Sequence, residues 1–343
     1  MSRNRRRLIG IGVAVCAVAA AATGLGLYLS ARNPRDGNGG RTGSIVVAYA
    51  PFESTALVWI AEDQRLFSRG GLTMTWRRYD SGVGALDGLL NGDADLAVGT
   101  TEFPLVGSAF RKDRIRATGT IAKSEFIYIV GRKDRGIETV ADLKGKRVGT
   151  TLRTIAEFYL GRFLELHGIN QQGMTLVDLK TPAEWVNAIV AGDVDAVATA
   201  QPYANAVKDR LGANAVVWSA QSGQPLYALA IATDAWIANN PRLLRTFLTS
   251  LAQAEQYLFR NPAEARAIVQ KRLGLEVSYM DSVWLQNQFS LSLDESLILA
   301  MEEEARWMIK NNLTGERQVP NFLDHIHEGG LKVTKPEAVN IIR

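Results

Sequence analysis

Along the chain, apolar and polar positions switch repeatedly between a period of two and a period near 3.6. Residues 44–50 form a nearly continuous apolar stretch that predicts a buried strand. After the loop Pro51-Phe52-Glu53-Ser54, Leu57, Ile60, Ala61 and Phe67 recur at helical spacing, so a helix is expected over 55–67, with Ser54 a candidate N-cap. Residues 72–79 alternate as a strand, and Ser81-Gly82-Val83-Gly84 opens another helix. Residues 115–130 are rich in strand formers; 138–145 read as a short helix and turn, and 147–149 begin a further strand. Thr154-Ile155-Ala156-Glu157 and Thr181-Pro182-Ala183-Glu184 both have capping-box spacing, the second with proline at the favoured first helical position. Residues 226–233 predict a strand, and 240–312 read as mostly helical, with breaks near Pro262 and Gly274. Strands alternating with helices indicate an α/β fold on largely parallel sheets.

One pattern occurs twice. Gly92-Asp93-Ala94-Asp95 leads through an apolar strand to Thr100-Thr101-Glu102-Phe103-Pro104. Gly192-Asp193-Val194-Asp195 leads in the same way to Gln201-Pro202-Tyr203. Each follows a helix-like stretch, 85–90 and 183–191. The echo predicts two similar α/β lobes, each offering a loop at the carboxyl end of a strand, where ligands of open α/β sheets sit.

Charge divides the chain unevenly. Residues 1–41 hold seven arginines and one acid, while the remainder holds 32 basic against 34 acidic residues. The part expected to fold is therefore not basic, which argues against a nucleic-acid partner. Arg3, Arg5, Arg6 and Arg7 precede an uncharged, mostly apolar run over 8–30, the layout of a secretory signal or anchor. The protein is thus expected outside the cytoplasmic membrane, exported or tethered by 8–30. Residues 32–43 form a glycine-rich tether. Small residues at Ala20-Ala21-Ala22 and Leu29-Ser30-Ala31 offer alternative cleavage points, and Arg5-Arg6-Arg7 before Leu8 loosely resembles a twin-arginine signal. Cys16 is the sole cysteine; it faintly resembles a lipoprotein attachment site, the alternative being a small membrane residue. Residues beyond it have neither disulfide nor thiolate chemistry.

Several phrases taken in order resemble a known family. Ala56-Leu57-Val58-Trp59-Ile60-Ala61-Glu62-Asp63-Gln64 with Leu66-Phe67 resembles the first helix of bacterial solute-binding proteins for sulfonates, taurine and nitrate, relatives of thiamine-pyrimidine precursor binding proteins. Val140-Ala141-Asp142-Leu143-Lys144-Gly145-Lys146-Arg147-Val148-Gly149 resembles the start of that group's second lobe. Ala191-Gly192-Asp193-Val194-Asp195-Ala196 with Gln201-Pro202-Tyr203 resembles its later strand and loop. The resemblance implies a type II periplasmic binding fold: two lobes of mixed, mostly parallel sheets flanked by helices, hinged by two crossing segments. It places lobe 1 at 44–131 plus 228–343 and lobe 2 at 132–227. It implies a monomeric solute-binding component of an ABC importer, delivering a small polar or anionic solute to a membrane permease with a separate ATPase. Gly145-Lys146 lacks the spacing of a P-loop, and no cofactor is expected. Synthesis of a thiamine-pyrimidine precursor on the same fold is one alternative; a membrane-tethered ligand sensor is another.

Strand-end loops supply the candidate ligand-binding residues: Phe52, Glu53, Ser54, Thr55, Thr100, Thr101, Glu102, Thr151, Arg153, Gln201, Tyr203 and Tyr227. Helix starts near Thr55 and Thr154 offer free backbone N–H groups to an anion, although for Thr154 capping is the favoured reading, since the capping box already explains it. Thr100 and Thr101 have no evident capping partner, so ligand contact is the expectation. Arg153 offers a donor fork for a carboxylate, sulfonate or nitrate, or else sits in solvent. Glu53 and Glu102 would repel an anion and attract an amine, so with Arg153 they favour a zwitterion such as an amino-sulfonate; the alternative is that both are solvated. Phe103, Trp185 and Tyr203 are candidate wall aromatics, and Tyr227 is either a stacking ring or hinge packing. His325 and His327, with no third partner, read as solvated tail residues rather than metal ligands, and His167 lies outside the loops.

Overall fold

Strands such as Leu96–Thr101 and Leu226–Thr233 are rich in β-branched and small apolar residues and end at a helix. The computed structural model describes residues 43–170 and 173–342. The leader, most of the tether and Cys16 lie outside the described residues. In chain order the elements are β1 (Gly43–Tyr49), α1 (Ala56–Asp63), α2 (Leu66–Arg69), β2 (Leu72–Arg78), α3 (Gly82–Leu90), β3 (Leu96–Thr101), α4 (Glu102–Phe110), β4 (Ile115–Ser124) and β5 (Ile127–Arg132). There follow β6 (Arg147–Thr150), α5 (Ile155–Leu166), β7 (Thr175–Asp178), α6 (Pro182–Ala191), β8 (Ala196–Ala200), α7 (Tyr203–Leu211), β9 (Ala215–Ser219) and β10 (Leu226–Thr233). The last part holds α8 (Asp234–Asn239), α9 (Pro241–Arg260), α10 (Pro262–Leu273), α11 (Val277–Val283), β11 (Asn287–Gln288), α12 (Glu295–Lys310) and α13 (Gly329–Thr334).

The strands form two sheets, a six-stranded one in the order β11-β4-β10-β3-β1-β2 and a five-stranded one in the order β7-β6-β8-β5-β9. Both are parallel at their cores, β2-β1-β3 and β7-β6-β8. Both turn antiparallel where a strand returns across the boundary: β10 lies between β3 and β4, and β5 between β8 and β9. The chain crosses between sheets at 125–126 and again at 220–225. The first crossing comes before the expected boundary at Gly131, because Ile127–Arg132 pairs with β8 and β9 in the second sheet.

The repeated Gly-Asp-x-Asp phrase builds the same turn in both sheets. Gly92 and Gly192 sit at φ +80° and +85°, a left-handed conformation that glycine takes without steric cost. In the first copy the Asp95 carboxylate accepts the Val46 amide at 2.8 Å, and the Asp95 amide donates to Val46 O at 2.8 Å. In the second, Asp195 does both for Arg147, at 3.0 and 2.8 Å. Each turn thereby grips one residue of the neighbouring parallel strand, Val46 within β1 and Arg147 at the start of β6, and so helps fix the register of its sheet.

Three local expectations are corrected. The helix over 55–67 is two helices, broken at Arg65, which takes a left-handed φ of 54°. The glutamates at capping-box spacing reach one residue past the cap: Glu157 accepts the Arg153 amide and Glu184 the Lys180 amide. Thr154 and Thr181 still cap, accepting from Ala156 N and Glu184 N at 3.3 Å each. Finally, 287–294 is not helical: after a short 3-10 turn at Trp284–Gln286 the chain runs extended. β11 pairs with β4, and Phe289, Leu291 and Leu293 are buried alternately, the period of an extended segment.

The first sheet's core gathers Trp59, Phe67, Phe247 and Leu251, among others. The second gathers Phe158, Phe163 and Leu160, and it also takes in Phe103 from α4 and Trp307 from α12, helices of the first-sheet side. Phe103, Phe158 and Trp307 have ring centroids 5.6–6.3 Å apart. An apolar contact therefore joins the two lobes beside the hinge. Among the described residues no helix is long and apolar enough to cross a membrane.

Candidate functional site

β1 and β3 in one sheet, and β6 and β8 in the other, end in the loops marked as candidates from sequence. Two of these loops meet. Pro51 and Phe52 after β1, with Leu275, Glu276 and Tyr279 around α11, face Pro202, Tyr203, Asn205 and Asp209 after β8 across a hollow of about 600 Å³. Phe52 is 41 % exposed there. Tyr203 is half-buried and packs edge-on against Trp185, with centroids 5.3 Å apart. The hollow has aromatic walls on both sides and polar groups at its edge, the usual make-up of a small-molecule site.

Several candidate hydroxyls are engaged within the protein. The Thr55 hydroxyl donates to Phe52 O at 2.6 Å and accepts the Trp59 indole N–H at 2.8 Å. Thr100 is fully buried and donates to Gly82 O at 2.7 Å, so the expected ligand contact is replaced by a bond that holds the start of α3. Thr151 donates to Leu179 O at 2.6 Å and accepts from Trp185 Nε1 at 3.1 Å. The Gln201 amide is spent on Asn205, at 3.1 and 3.2 Å, closing the first turn of α7. Ser54 is buried, while Thr101 makes no capping bond with its side chain and is partly exposed at the N-cap of α4. Arg153 is exposed at a left-handed φ of 62°. Neither of the loops around Thr101 and Thr151–Arg153 lines the 600 Å³ hollow.

The two loop glutamates are buried, against the solvated alternative. Glu53 is 2 % exposed; its carboxylate accepts from the Tyr279 hydroxyl and, at 3.3 Å, from Asn287 Nδ2. Burial raises its pKa, and these donors offset part of the rise. Glu102 is fully buried, with Oε2 accepting the Tyr227 amide at 2.8 Å and Oε1 unpartnered. Beside it lies Glu304 of α12, fully buried, with both oxygens unpartnered. Burial pushes Glu102 up to about 7, and burial together with the neighbouring Glu102 charge holds Glu304 well above the carboxylate range. At neutral pH the pair therefore holds at least one proton. The Tyr159 hydroxyl and the Trp307 indole N–H are also buried without partners.

Tyr227 is hinge packing: it is 2 % exposed, its hydroxyl donates to Ser296 Oγ at 2.9 Å, and Lys123 lies over its ring. His325 and His327 are half-buried in a tail that runs along β4, where the His327 amide donates to Ala117 O at 2.9 Å, so they are less exposed than free tail residues. His167 Nδ1 lies 2.8 Å from Phe163 O. Sequence reasoning missed Tyr279, Asn287 and Glu304. Glu304 was hidden by the acidic phrase Glu302-Glu303-Glu304, although its spacing from Leu297, Ala300 and Met301 puts it on the inner face of α12.

Two mixed sheets, a hinge of two crossing segments and a hollow between strand-end loops define a periplasmic binding fold. The solved alkanesulfonate-binding protein SsuA of Xanthomonas axonopodis pv. citri, bound to MOPS, has the same fold. It superposes with a TM-score of 0.69 at 21% identity, covering 84% of this chain and 99% of that one. The chain belongs to the NMT1/THI5-like family, whose model matches residues 53–265. It is 25% identical over 292 residues to the taurine-binding periplasmic protein of Escherichia coli, covering 83% of each chain. It is also 25% identical over 230 residues to the 4-amino-5-hydroxymethyl-2-methylpyrimidine phosphate synthase of Aspergillus parasiticus, covering 61% of this chain and 64% of that one.

Proposed function

We propose that this protein is the extracytoplasmic solute-binding component of an ABC importer, capturing a small sulfonate or amino-sulfonate such as taurine by closure of its lobes. The hollow shared by Phe52 on one side and Tyr203 on the other carries this reading, because a guest there touches both jaws at once. The similarity to a taurine-binding and a sulfonate-binding protein supports the solute class. The lobes are the first sheet with α1 to α4 and α8 to α13, and the second sheet with α5 to α7. The protein acts as a monomer outside the cytoplasmic membrane, placed there by residues 8–30, and hands its solute unchanged to a permease served by a separate ATPase.

Thr101 on a first-lobe loop makes no capping bond with its side chain, and Arg153 on a second-lobe loop is exposed. Closing onto a sulfonate brings such donors to its oxygens. The likeness to a pyrimidine phosphate synthase raises an enzymatic reading. Against it, the chain has no cysteine beyond Cys16, and its three histidines lie away from the hollow. Titration of the full-length protein with taurine, ethanesulfonate and nitrate, followed by tryptophan fluorescence, tests the proposal. A saturable shift with a sulfonate is expected, and Trp185→Phe should weaken the optical signal more than the affinity. A flat response to all three, or chemical turnover of the bound solute, would sink the reading.

A further inference from the structure

Besides the two crossings, a third segment touches both sheets without passing between them. β11 pairs with the end of β4, Asn287 opposite Ser124 and Gln288 opposite Lys123. One residue earlier, Gln286 O accepts the amide of Glu125, inside the first crossing, at 3.1 Å. The Gln286 side chain donates to the Tyr128 hydroxyl on β5 at 2.9 Å. Leu285, next along, is 92 % exposed, so polar contacts and not apolar burial hold the segment across the boundary. The crossings themselves are pinned by Gln221, fully buried in the second. Its Nε2 donates to Ser124 O at 2.9 Å, and its Oε1 accepts the Ile127 amide at 2.9 Å.

Asn287 connects this hinge to the mouth of the hollow. Its Nδ2 donates to Glu53 Oε1 at 3.3 Å and to Val283 O at 2.8 Å, and its Oδ1 accepts the Ser124 hydroxyl at 2.5 Å. Glu53 directly follows Phe52 and is anchored at its other oxygen by Tyr279, a residue that itself lines the hollow. A buried carboxylate stays in place only while its partners do, so this short path is stiff.

We propose that Asn287 is a positioning residue for lobe closure: it ties the mouth loop at Phe52 and Glu53 to the hinge end of β4, so that contact made by a solute at Phe52 reaches the first crossing. This rests on the solute-capture reading above. The test is the interlobe distance distribution, measured by single-molecule energy transfer. Dyes are placed at Val83→Cys and Val190→Cys, both on the surface, in the full-length chain carrying Cys16→Ala.

Without solute, Asn287→Ala should shift the open-to-closed ratio about fivefold to tenfold, the worth of one buried hydrogen bond. Ser124→Ala should do the same, and the double variant should add nothing, because both cut one path. Ser250→Ala, which loses a buried hydroxyl bonded to Thr246 O far from the hinge, should leave the ratio unchanged. Identical distributions for the native protein and a folded Asn287→Ala overturn the proposal, as do fully additive effects. Taurine is then added at millimolar concentration. If it moves no distribution while the solute-free shifts occur as stated, solute capture of this class fails and the positioning role stands.

Discussion

A threonine that donates to a neighbouring carbonyl and one that faces a guest read identically in sequence. Thr55, Thr100 and Thr151 are of the first kind, while Thr101 makes no capping bond with its side chain, and only the fold separates them. Phe52 and Tyr203, each three residues past a strand end, line the hollow, a placement consistent with their expectation as ligand-binding aromatics. Glu304 was legible in principle, from its helical phase, but its acidic neighbours hid it. Its burial beside Glu102 has a measurable consequence. In the unfolded chain both carboxyls titrate in the ordinary range, while in the folded protein both are raised, Glu102 to about 7. The pair's favourable contribution is therefore complete below the ordinary carboxylate range and is lost as pH rises through about 7. Urea unfolding should show stability falling across this window by up to about 1.4 kcal/mol per pH unit for each proton involved. Glu304→Gln should flatten that fall, and Glu304→Leu should be the more stable protein at pH about 8, by about 1–4 kcal/mol. Equal pH slopes for the native protein and Glu304→Gln would show that the pair does not titrate in this way.

Elements declared themselves wherever their ends carry a chemical mark. The two Gly-Asp-x-Asp turns, the caps at Thr154 and Thr181, and the prolines opening α6, α9 and α10 are all visible in the residues. The break at Arg65 and the extended segment around β11 were not, since neither has a glycine or proline to announce it. A segment between two helices, with its apolar residues at 289, 291 and 293, takes its period from the sheet edge it lies against. The repeated turns allow a paired test. Asp95→Ala and Asp195→Ala each leave one strand amide without its carboxylate, and each should cost about 1.5–3 kcal/mol, the worth of a hydrogen bond to a charged group. Similar shifts in the denaturation midpoint are expected from both. A large cost for one and none for the other would mean that the echo in sequence is not an echo in energetics.

At the scale of the whole molecule, two lobes become one cooperative unit only if something besides two thin crossings couples them. Arg162 of α5 bonds Glu303 of α12 at 2.9 Å and Gln221 O at 3.0 Å, and Lys310 pairs with Glu165. The exposed pair contributes little; the apolar seam of Phe103, Phe158 and Trp307 beside it contributes more. Trp307 is 5 % exposed and stands edge-on to Phe158, 5.6 Å between centroids, so its ring belongs to the second lobe's core while its backbone belongs to a first-lobe helix. Trp307→Ala removes that shared ring at a cost of about 3–5 kcal/mol. Because the loss falls on the contact between lobes rather than within either, calorimetry should show one transition for the native protein and two for Trp307→Ala. Trp307→Phe keeps an aromatic wedge in place and should restore one transition at a lower temperature. A single, merely shifted endotherm for Trp307→Ala would instead locate the coupling in the crossings themselves, with Gln221 as the residue to replace next.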